Sequence, residues 1–226
     1  MSHHQKAKTD VFGQDNLDAL FIQAADFFEK NKTTVLAVAT AIILASGGLI
    51  FWNHQQAQQN TQAATLLAKI QPAYEAKDYQ TAIYGNGDTE GLLNIAESYA
   101  STNFGNIAKL YAGKAFFEKG VYDSALTYFE SVSLSADLIA ATALSGQAAS
   151  LEAQQSYAKA APLYQKAAKR SPLNTLTPSY LEDAARNFEL AGQKEDAVKI
   201  YEEILKLYKD SKPGKSASEN MARLKS

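Results

Sequence analysis

One pattern of seven positions recurs three times in the second half of the chain and leaves few folds open. Gly113, Phe116, Gly120, Tyr122, Ala125, Phe129 and Val132 stand at relative positions 0, 3, 7, 9, 12, 16 and 19. The same offsets from Ala148 give Leu151, Gln155, Tyr157, Ala160, Tyr164 and Ala167, and from Ala185 they give Phe188, Gly192, Lys194, Ala197, Tyr201 and Ile204. The register steps by 35 and then 37 residues. The apolar spacings are those of a helical face, and the two-residue alternation of a half-buried strand does not occur. Each unit predicts two antiparallel helices: a small residue where they touch, a large apolar residue one turn on, a turn, then alanine and an aromatic four apart on the second helix.

The punctuation between these runs agrees. Gly120 and Gly192 stand where a first helix should end in a left-handed residue. Ser156 is placed to cap the second helix of the middle unit, and Thr177-Pro178 reads as an N-cap followed by proline at the first helical position. Pro172 closes the middle unit and Pro213-Gly214 ends the last long helix. The three units, about 106–136, 141–172 and 178–211, resemble tetratricopeptide repeats, whose period is about 34 residues. The middle unit matches most fully. The first has Asp137 in place of the terminal proline, and the third has Lys194 in place of the turn aromatic. Upstream, AYEAKDYQTAI reads as a degenerate half-repeat around Tyr79 and Ala82, YGNGDTEG at 84–91 as a flexible break, and LLNIAESYA at 92–100 as a further helix. The tail KSASENMARLKS predicts a polar capping helix with Met221 and Leu224 inward, because a terminal solenoid unit needs a solvated outer face.

A second feature precedes the repeats. Thr33 to Trp52, TTVLAVATAIILASGGLIFW, is twenty residues without a charge, and at about 1.5 Å per residue that length matches the roughly 30 Å of a bilayer core. A cleaved signal peptide would have an apolar region of about 7–15 residues ending at a small-x-small site, whereas Ala39-Thr40-Ala41 lies inside the run. The segment therefore predicts a single transmembrane helix at 33–52. Lys6, Lys8, Lys30 and Lys32 precede it, and the first basic residue after it is Lys69. Basic flanks stay cytoplasmic, which predicts residues 1–32 inside and residues 53–226 outside, in the periplasm for a bacterial inner-membrane protein. Phe51 and Trp52, followed by Asn53 and His54, have the character of an interfacial anchor. Ala37, Ala41 and Ala45 recur every four residues and Gly48 continues their face. Such a row either docks on another transmembrane helix or reflects how common small residues are in spans.

Before the span, residues 16–29 place Leu17, Leu20, Phe21, Ala24 and Phe28 on one helical face, with Asp18, Gln23, Asp26 and Glu29 elsewhere. This amphipathic helix either lies on the membrane surface through its aromatics or meets a protein, since its acidic side has no attraction to anionic lipid. A long polar helix, NHQQAQQNTQAATLLAKI, is expected to leave the membrane from Asn53 onward.

Composition narrows the function. The 22 Lys plus Arg against 24 Asp plus Glu give a net charge of −2, which provides no general pull toward nucleic acid. There is no cysteine, and the only histidines are His3, His4 and His54. From Gln55 onward, disulfides, thiolate or histidine metal sites, catalytic triads and histidine acid–base chemistry therefore lack their central residue. Acidic neighbours such as Glu202-Glu203 and Glu195-Asp196 are adjacent in sequence and diverge on a helix, unlike a glycosidase pair. No enzyme activity and no cofactor are expected.

The order FFEKNK, apolar span, FWNHQQ, degenerate helix pair, then ESYASTNFGNIAKLYAGKAFFEKGVYDSAL resembles the YfgM-like tetratricopeptide-repeat family over roughly residues 20–210, most specifically from Tyr99 to Leu126. That resemblance implies a single-span bacterial inner-membrane protein ancillary to the Sec translocon. It would work as a scaffold or co-chaperone with a periplasmic chaperone or isomerase. An accessory or assembly subunit of another inner-membrane complex, respiratory or photosynthetic, is the alternative, and self-association fits either. The repeat register directs Leu110, Lys114 and Phe117, Glu152, and Glu182, Arg186 and Glu189 toward the groove lined by the first helices, where such proteins hold partners. The aromatics Tyr122, Phe129, Tyr157, Tyr164, Phe188 and Tyr201 read as core packing, and the groove lacks the Lys and Asn cluster that clamps a terminal carboxylate.

Overall fold

The computed structural model of the chain describes residues 14–133, 136–171 and 175–225. His3, His4, Lys6, Lys8, Pro172 and the side chains of Leu17 and Asp18 lie outside that description. The described residues form α-helices and no strand: α1 (Gln14–Lys30), α2 (Lys32–Glu75), α3 (Tyr79–Tyr84), α4 (Leu92–Ser98), α5 (Asn103–Glu118), α6 (Tyr122–Glu130), α7 (Asp137–Ala153), α8 (Tyr157–Arg170), α9 (Thr177–Leu190), α10 (Lys194–Leu207) and α11 (Lys212–Lys225). The chain divides into two compact units, Met1–Gln55 and Gln56–Ser226.

In the first unit, α1 extends the expected amphipathic helix by about one residue or two at each end. Its Leu20, Phe21 and Phe28 are exposed, and so are Ile22 and Phe27. The apolar run lies in α2, where an 18-residue window has a mean hydropathy of 2.2 and none of it is buried, which makes the helix long and apolar enough to cross a membrane. Two of its polar side chains bond within the helix: the Thr40 hydroxyl donates to the Leu36 carbonyl and Ser46 to Ile42, each at 2.8 Å. Such back-bonding is what a helix in hydrocarbon requires of a hydroxyl. The polar helix expected from Asn53 follows the apolar run without interruption, and α2 continues to Glu75. Residues 53–71 contain neither Gly nor Pro and are rich in Gln, Ala and Leu, so nothing there stops the helix.

The second unit is a solenoid of helix pairs, and one backbone device closes each pair. Lys77, Gly120, Gln155 and Gly192 are all left-handed, with φ of 60°, 76°, 58° and 77°. At each, the N–H donates to the carbonyl three residues back, and the next N–H donates to the carbonyl five back, all at 2.8–3.0 Å. This is the Schellman closure of a helix C-terminus. The carbonyl acceptors are Tyr74 and Ala73, Phe117 and Phe116, Glu152 and Leu151, and Glu189 and Phe188. The half-repeat at Tyr79 and Ala82 thus has the same turn as the others, with the end of α2 as its first helix and the six-residue α3 as its second. YGNGDTEG, read from sequence as a break, is an ordered turn. Asn86 Oδ1 accepts from the Asp88 and Thr89 N–H groups and from the Thr89 hydroxyl at 2.8–3.0 Å, and Gly85 bridges to Glu90.

Alanine dominates the buried positions, including Ala108, Ala112, Ala125, Ala148, Ala160, Ala185 and Ala197, all with no exposed surface. Small side chains let helix axes approach, and aromatics fill what remains. Phe129 sits where a Cβ on Gly113 would come to 2.9 Å from its ring and one on Gly146 to 2.6 Å. Asn106, buried, ties two loops together. Its Nδ2 donates to the Ala100 and Thr102 carbonyls, and its Oδ1 accepts from Ser133 N at 2.8 Å.

Three boundary expectations shift. Leu176, not Thr177, is the N-cap of α9, and Thr177 is buried, donating its hydroxyl to the Ser171 carbonyl at 2.6 Å. Ser156 stands at the N-cap of α8 without a side-chain cap bond. Pro213 and Gly214 do not end α10, which stops at Leu207; they lie in the first turn of α11, where a missing N–H is harmless. Met221 and Leu224 of α11 pack inward as expected.

Among the described residues, Gln155 is the one non-glycine at a left-handed turn within the repeats proper. Gln155→Gly is expected to stabilise the chain by roughly 1 kcal/mol, and Gly120→Ala to destabilise it by a similar amount, because a Cβ in this region costs about 1–2 kcal/mol. Denaturant unfolding of the full chain in detergent checks both signs.

Candidate partner-binding groove

The first helices of the three repeats, α5, α7 and α9, line one open groove made of two adjoining basins, of about 500 and 430 Å³. Phe117, Ala149, Tyr164 and Asp183 line both. The first basin is lined by Leu110, Phe129 and Gly146 together with Lys114, Glu118, Thr142 and Ser145. The second basin is polar, with Glu152 and Arg186, and ends at Leu190.

Glu152 organises the polar basin. Its carboxylate accepts from the Tyr164 hydroxyl at 3.0 Å, from Asn187 Nδ2 at 2.9 Å and from both ends of the Arg186 guanidinium. Arg186 also pairs with Asp183 at 2.7 Å. Burial pushes the Glu152 carboxyl up, but the hydrogen bonds from Arg186, Asn187 and Tyr164 outweigh it and hold the group below its ordinary range. For Asp183 the balance is reversed, and burial raises it despite Arg186. The Tyr164 hydroxyl is pushed up by burial and then by the Glu152 charge, so it stays a neutral donor. Asn187 is fully buried, commits its amide donors to Glu152 and the Asp183 carbonyl, and leaves Oδ1 without a partner among the described residues.

The same clasp returns one repeat later. Glu189 accepts from the Tyr201 hydroxyl at 2.6 Å and from Arg223 of α11 at 2.5 Å. Both tyrosines stand 12 residues after their glutamate, and both arginines 34 after it. One repeat earlier, where the register step is 35 residues and not 37, the matching positions are Phe117, Phe129 and, 32 residues after Phe117, Ala149, none of which can form an ion pair.

Of the residues expected to face the groove, Leu110, Lys114 and Phe117 line the first basin and Glu152 and Arg186 the second. Glu182 and Glu189 do not line it. Glu182 accepts from Ser216 at 2.9 Å and Glu189 from Arg223, because α11 covers the face of α9 that they occupy. Phe129, Tyr164 and Asp183 line the groove although the sequence pointed to the two aromatics only as core; Phe129 and Tyr164 reach it from the second helices α6 and α8, and Asp183 stands on α9 itself. Tyr157 also lines the second basin. Ala37, Ala41, Ala45 and Gly48 are all exposed on α2.

A separate apolar cavity of about 260 Å³ lies among α2, α4 and α5, lined by Leu67, Ile70, Tyr74, Leu92 and Phe104. Tyr74 packs edge-on to Tyr111 with centroids 4.8 Å apart, and burial pushes its hydroxyl up. Among the described residues, no group of three or more His, Cys, Asp or Glu is arranged to hold a metal ion.

A family model described as a tetratricopeptide repeat-like domain matches residues 25–171, from within α1 through the apolar run to the end of α8. The chain belongs to the tetratricopeptide repeat-like family. A second model, described as a tetratricopeptide repeat, matches residues 139–210, which takes the repeats through α10. No curated protein matches the chain. The repeats mark it as a protein–protein interaction scaffold, and domains of this kind are typically non-catalytic.

Because Glu152 is held below its ordinary pKa, it favours the folded state above the ordinary carboxylate range, and that contribution is lost as pH falls through the folded value. Asp183, held above its ordinary value, acts with the opposite sign. Glu152→Gln is therefore expected to cost about 1–3 kcal/mol at neutral pH, where charge-assisted hydrogen bonds are lost. The difference from the parent chain should shrink as the solution is acidified below about pH 4.5. Thermal unfolding across pH checks the sign.

Proposed function

We propose that this chain is a single-pass membrane protein whose repeat unit is a scaffold for protein partners on the outer face of a bacterial inner membrane, ancillary to the Sec translocon and its periplasmic folding factors. The observation that carries this reading is the pairing of an exposed, uncharged run of bilayer length with an interaction domain of the tetratricopeptide repeat-like family in one match. A helix with such a run is unstable in water, since about 0.8 kcal/mol is lost for each CH₂ left exposed. The internally bonded Thr40 and Ser46 hydroxyls suit it to hydrocarbon. Lys30 and Lys32 before the run and none until Lys69 support an N-terminus in the cytoplasm. The resemblance to the YfgM-like family supports the translocon as the site of work.

The second reading, an accessory subunit of another inner-membrane complex, draws on α1. Its exposed Leu20, Phe21 and Phe28 beside acidic residues suit a protein neighbour better than an anionic lipid surface.

The chain has no cysteine, so a single introduced thiol reports its own side of the membrane. A membrane-impermeant maleimide applied to intact spheroplasts should label Ser218→Cys, and should label Ser2→Cys only after lysis. The reverse pattern sinks the topology. In-cell crosslinking from the repeat unit should recover translocon subunits and periplasmic chaperones; one stoichiometric energy-transducing complex instead would establish the second reading.

A further inference from the structure

Charge is divided along the repeat unit. Residues 56–154 carry five Lys and Arg against ten Asp and Glu, a net −5, whereas residues 155–226 carry thirteen against nine, a net +4. The cations of the second half gather on one side. Because successive helices alternate in direction, the ends of α8 and α10 and the starts of α7, α9 and α11 share one edge of the solenoid. The Arg170–Asp137 ion pair at 3.2 Å ties the end of α8 to the start of α7, and Thr177 donates to Ser171 across the next junction. Lys169 and Arg170 close α8, Lys206 ends α10 with Lys209 just beyond it, and Lys212 and Lys215 open α11; all six are exposed. Two carboxylates stand among them, Asp137, engaged with Arg170, and Asp210. The opposite edge, at the left-handed turns, has no such excess: Lys119 stands beside Glu118 and Asp123, and Lys194 beside Glu195 and Asp196.

Two of these cations act against their own helix. Ser211 caps α11, its hydroxyl oxygen accepting from the Gly214 N–H at 3.1 Å, and the first turn then holds Lys212 and Lys215 and no acid. A helix begins with partial positive charge, so lysines there lower its stability, whereas Lys169, Arg170 and Lys206 in last turns are what the helix dipole favours. Lys212 and Lys215 therefore need a reason outside the fold. Three large apolar side chains share the edge: Leu138 at the start of α7, Leu176 at the N-cap of α9 and Leu207 at the end of α10, each about half exposed. None of the three lines either basin of the groove or the apolar cavity.

We propose that this edge is a docking surface for an anionic phospholipid bilayer. It goes beyond the scaffold reading, because it concerns the face made by helix ends and not the groove between first helices. Charge complementarity selects an anionic partner. The leucines select lipid. Headgroup phosphates have no fixed spacing and meet each cation where it stands, while leucine side chains standing singly on three helices enter the boundary between headgroups and acyl chains. A soluble acidic polypeptide would satisfy the cations and leave the leucines in water.

The test holds the full chain in phosphatidylcholine nanodiscs, with empty nanodiscs as baseline, and adds sucrose-loaded vesicles, whose sedimentation reads what they carry down. Vesicles containing about one-third phosphatidylglycerol should bind the chain about tenfold or more tighter than pure phosphatidylcholine vesicles. That preference should fall as sodium chloride is raised from about 0.05 to about 0.3 M, because surface charge is then screened. The pair Lys212→Glu and Lys215→Glu should keep or raise the thermal midpoint, since acids suit a helix start, while weakening vesicle binding about tenfold or more. A merely structural role for these lysines would not separate the two readouts. The pair Leu176→Ser and Leu207→Ser should weaken binding severalfold at every salt concentration. Equal binding to the two kinds of vesicle overturns the proposal, and so does unchanged binding by the folded lysine variant. Lys206→Gln with Lys209→Gln, which should also weaken binding, serves if that variant fails to fold. Soluble polyglutamate bound as tightly as the vesicles, with the leucine variant unaffected, would assign the edge to an acidic protein instead. The scaffold reading is tested apart from this by its partner crosslinks, which can fail while vesicle binding holds, or hold while it fails.

Discussion

Every helix pair in the repeat unit depends on one left-handed residue placed directly after a first helix. At Lys77, Gly120, Gln155 and Gly192 the chain reverses through the same two backbone bonds. That closure satisfies carbonyls the helix end would otherwise strand and aims the second helix back along the first. Glycine takes the position at two of the four, and Lys77 and Gln155 hold it at the other two. A pair made in this way buries little alone. Its alanines become core only when the next pair is laid against them, which is why the stability of such a fold is spread over nearest neighbours.

The gaps between pairs are joined differently along the solenoid. Toward the C-terminus each gap is fastened by a glutamate that collects a tyrosine hydroxyl and an arginine from the following unit. The last of those arginines comes from α11, a lone helix occupying the place of a fourth first helix, so the capping element is also the final fastener. In the gap between the first and second of these repeats the fastening is by amide side chains of α7 and its C-cap: Gln147 Nε2 donates to the Phe129 carbonyl at 3.3 Å and Gln154 Nε2 to the Asp123 carboxylate at 2.8 Å. The groove opens where one kind of fastening gives way to the other.

The repeats were legible in the sequence because their signal is carried by residue type: alanine where axes touch, aromatics where space remains, glycine where φ is positive. Lys77 and Gln155 show the limit, since a left-handed residue that is not glycine leaves no mark of its own and is found only by register. The polar helix from Asn53 was legible because backbone propensity, not polarity, decides whether a helix stops, and α2 runs through the change from apolar to polar residues. Pro213-Gly214 misled in the opposite direction, because proline at the first turn of one helix and proline after the end of another are the same letters. In the groove, Leu110, Lys114, Phe117, Glu152 and Arg186 were visible from first-helix register alone. Glu182 and Glu189 share that register, and only the presence of α11 takes them out of the groove. Phe129 and Tyr164 reach it from second helices by the way helices interleave, which a one-dimensional pattern does not encode, whereas Asp183 stands on the first helix α9.

Neighbouring repeats are fastened by a specific Glu–Tyr–Arg clasp in the gaps that Glu152 and Glu189 span. A double-mutant cycle with Glu152→Gln and Arg186→Met, read by denaturant unfolding of the full chain, tests it directly. The account predicts a coupling of at least about 0.5–1 kcal/mol between the two sites, the range expected of residues in one hydrogen-bonded network. Strictly additive effects would contradict it, and would mean that the repeats are held by alanine packing alone with the charges merely adjacent.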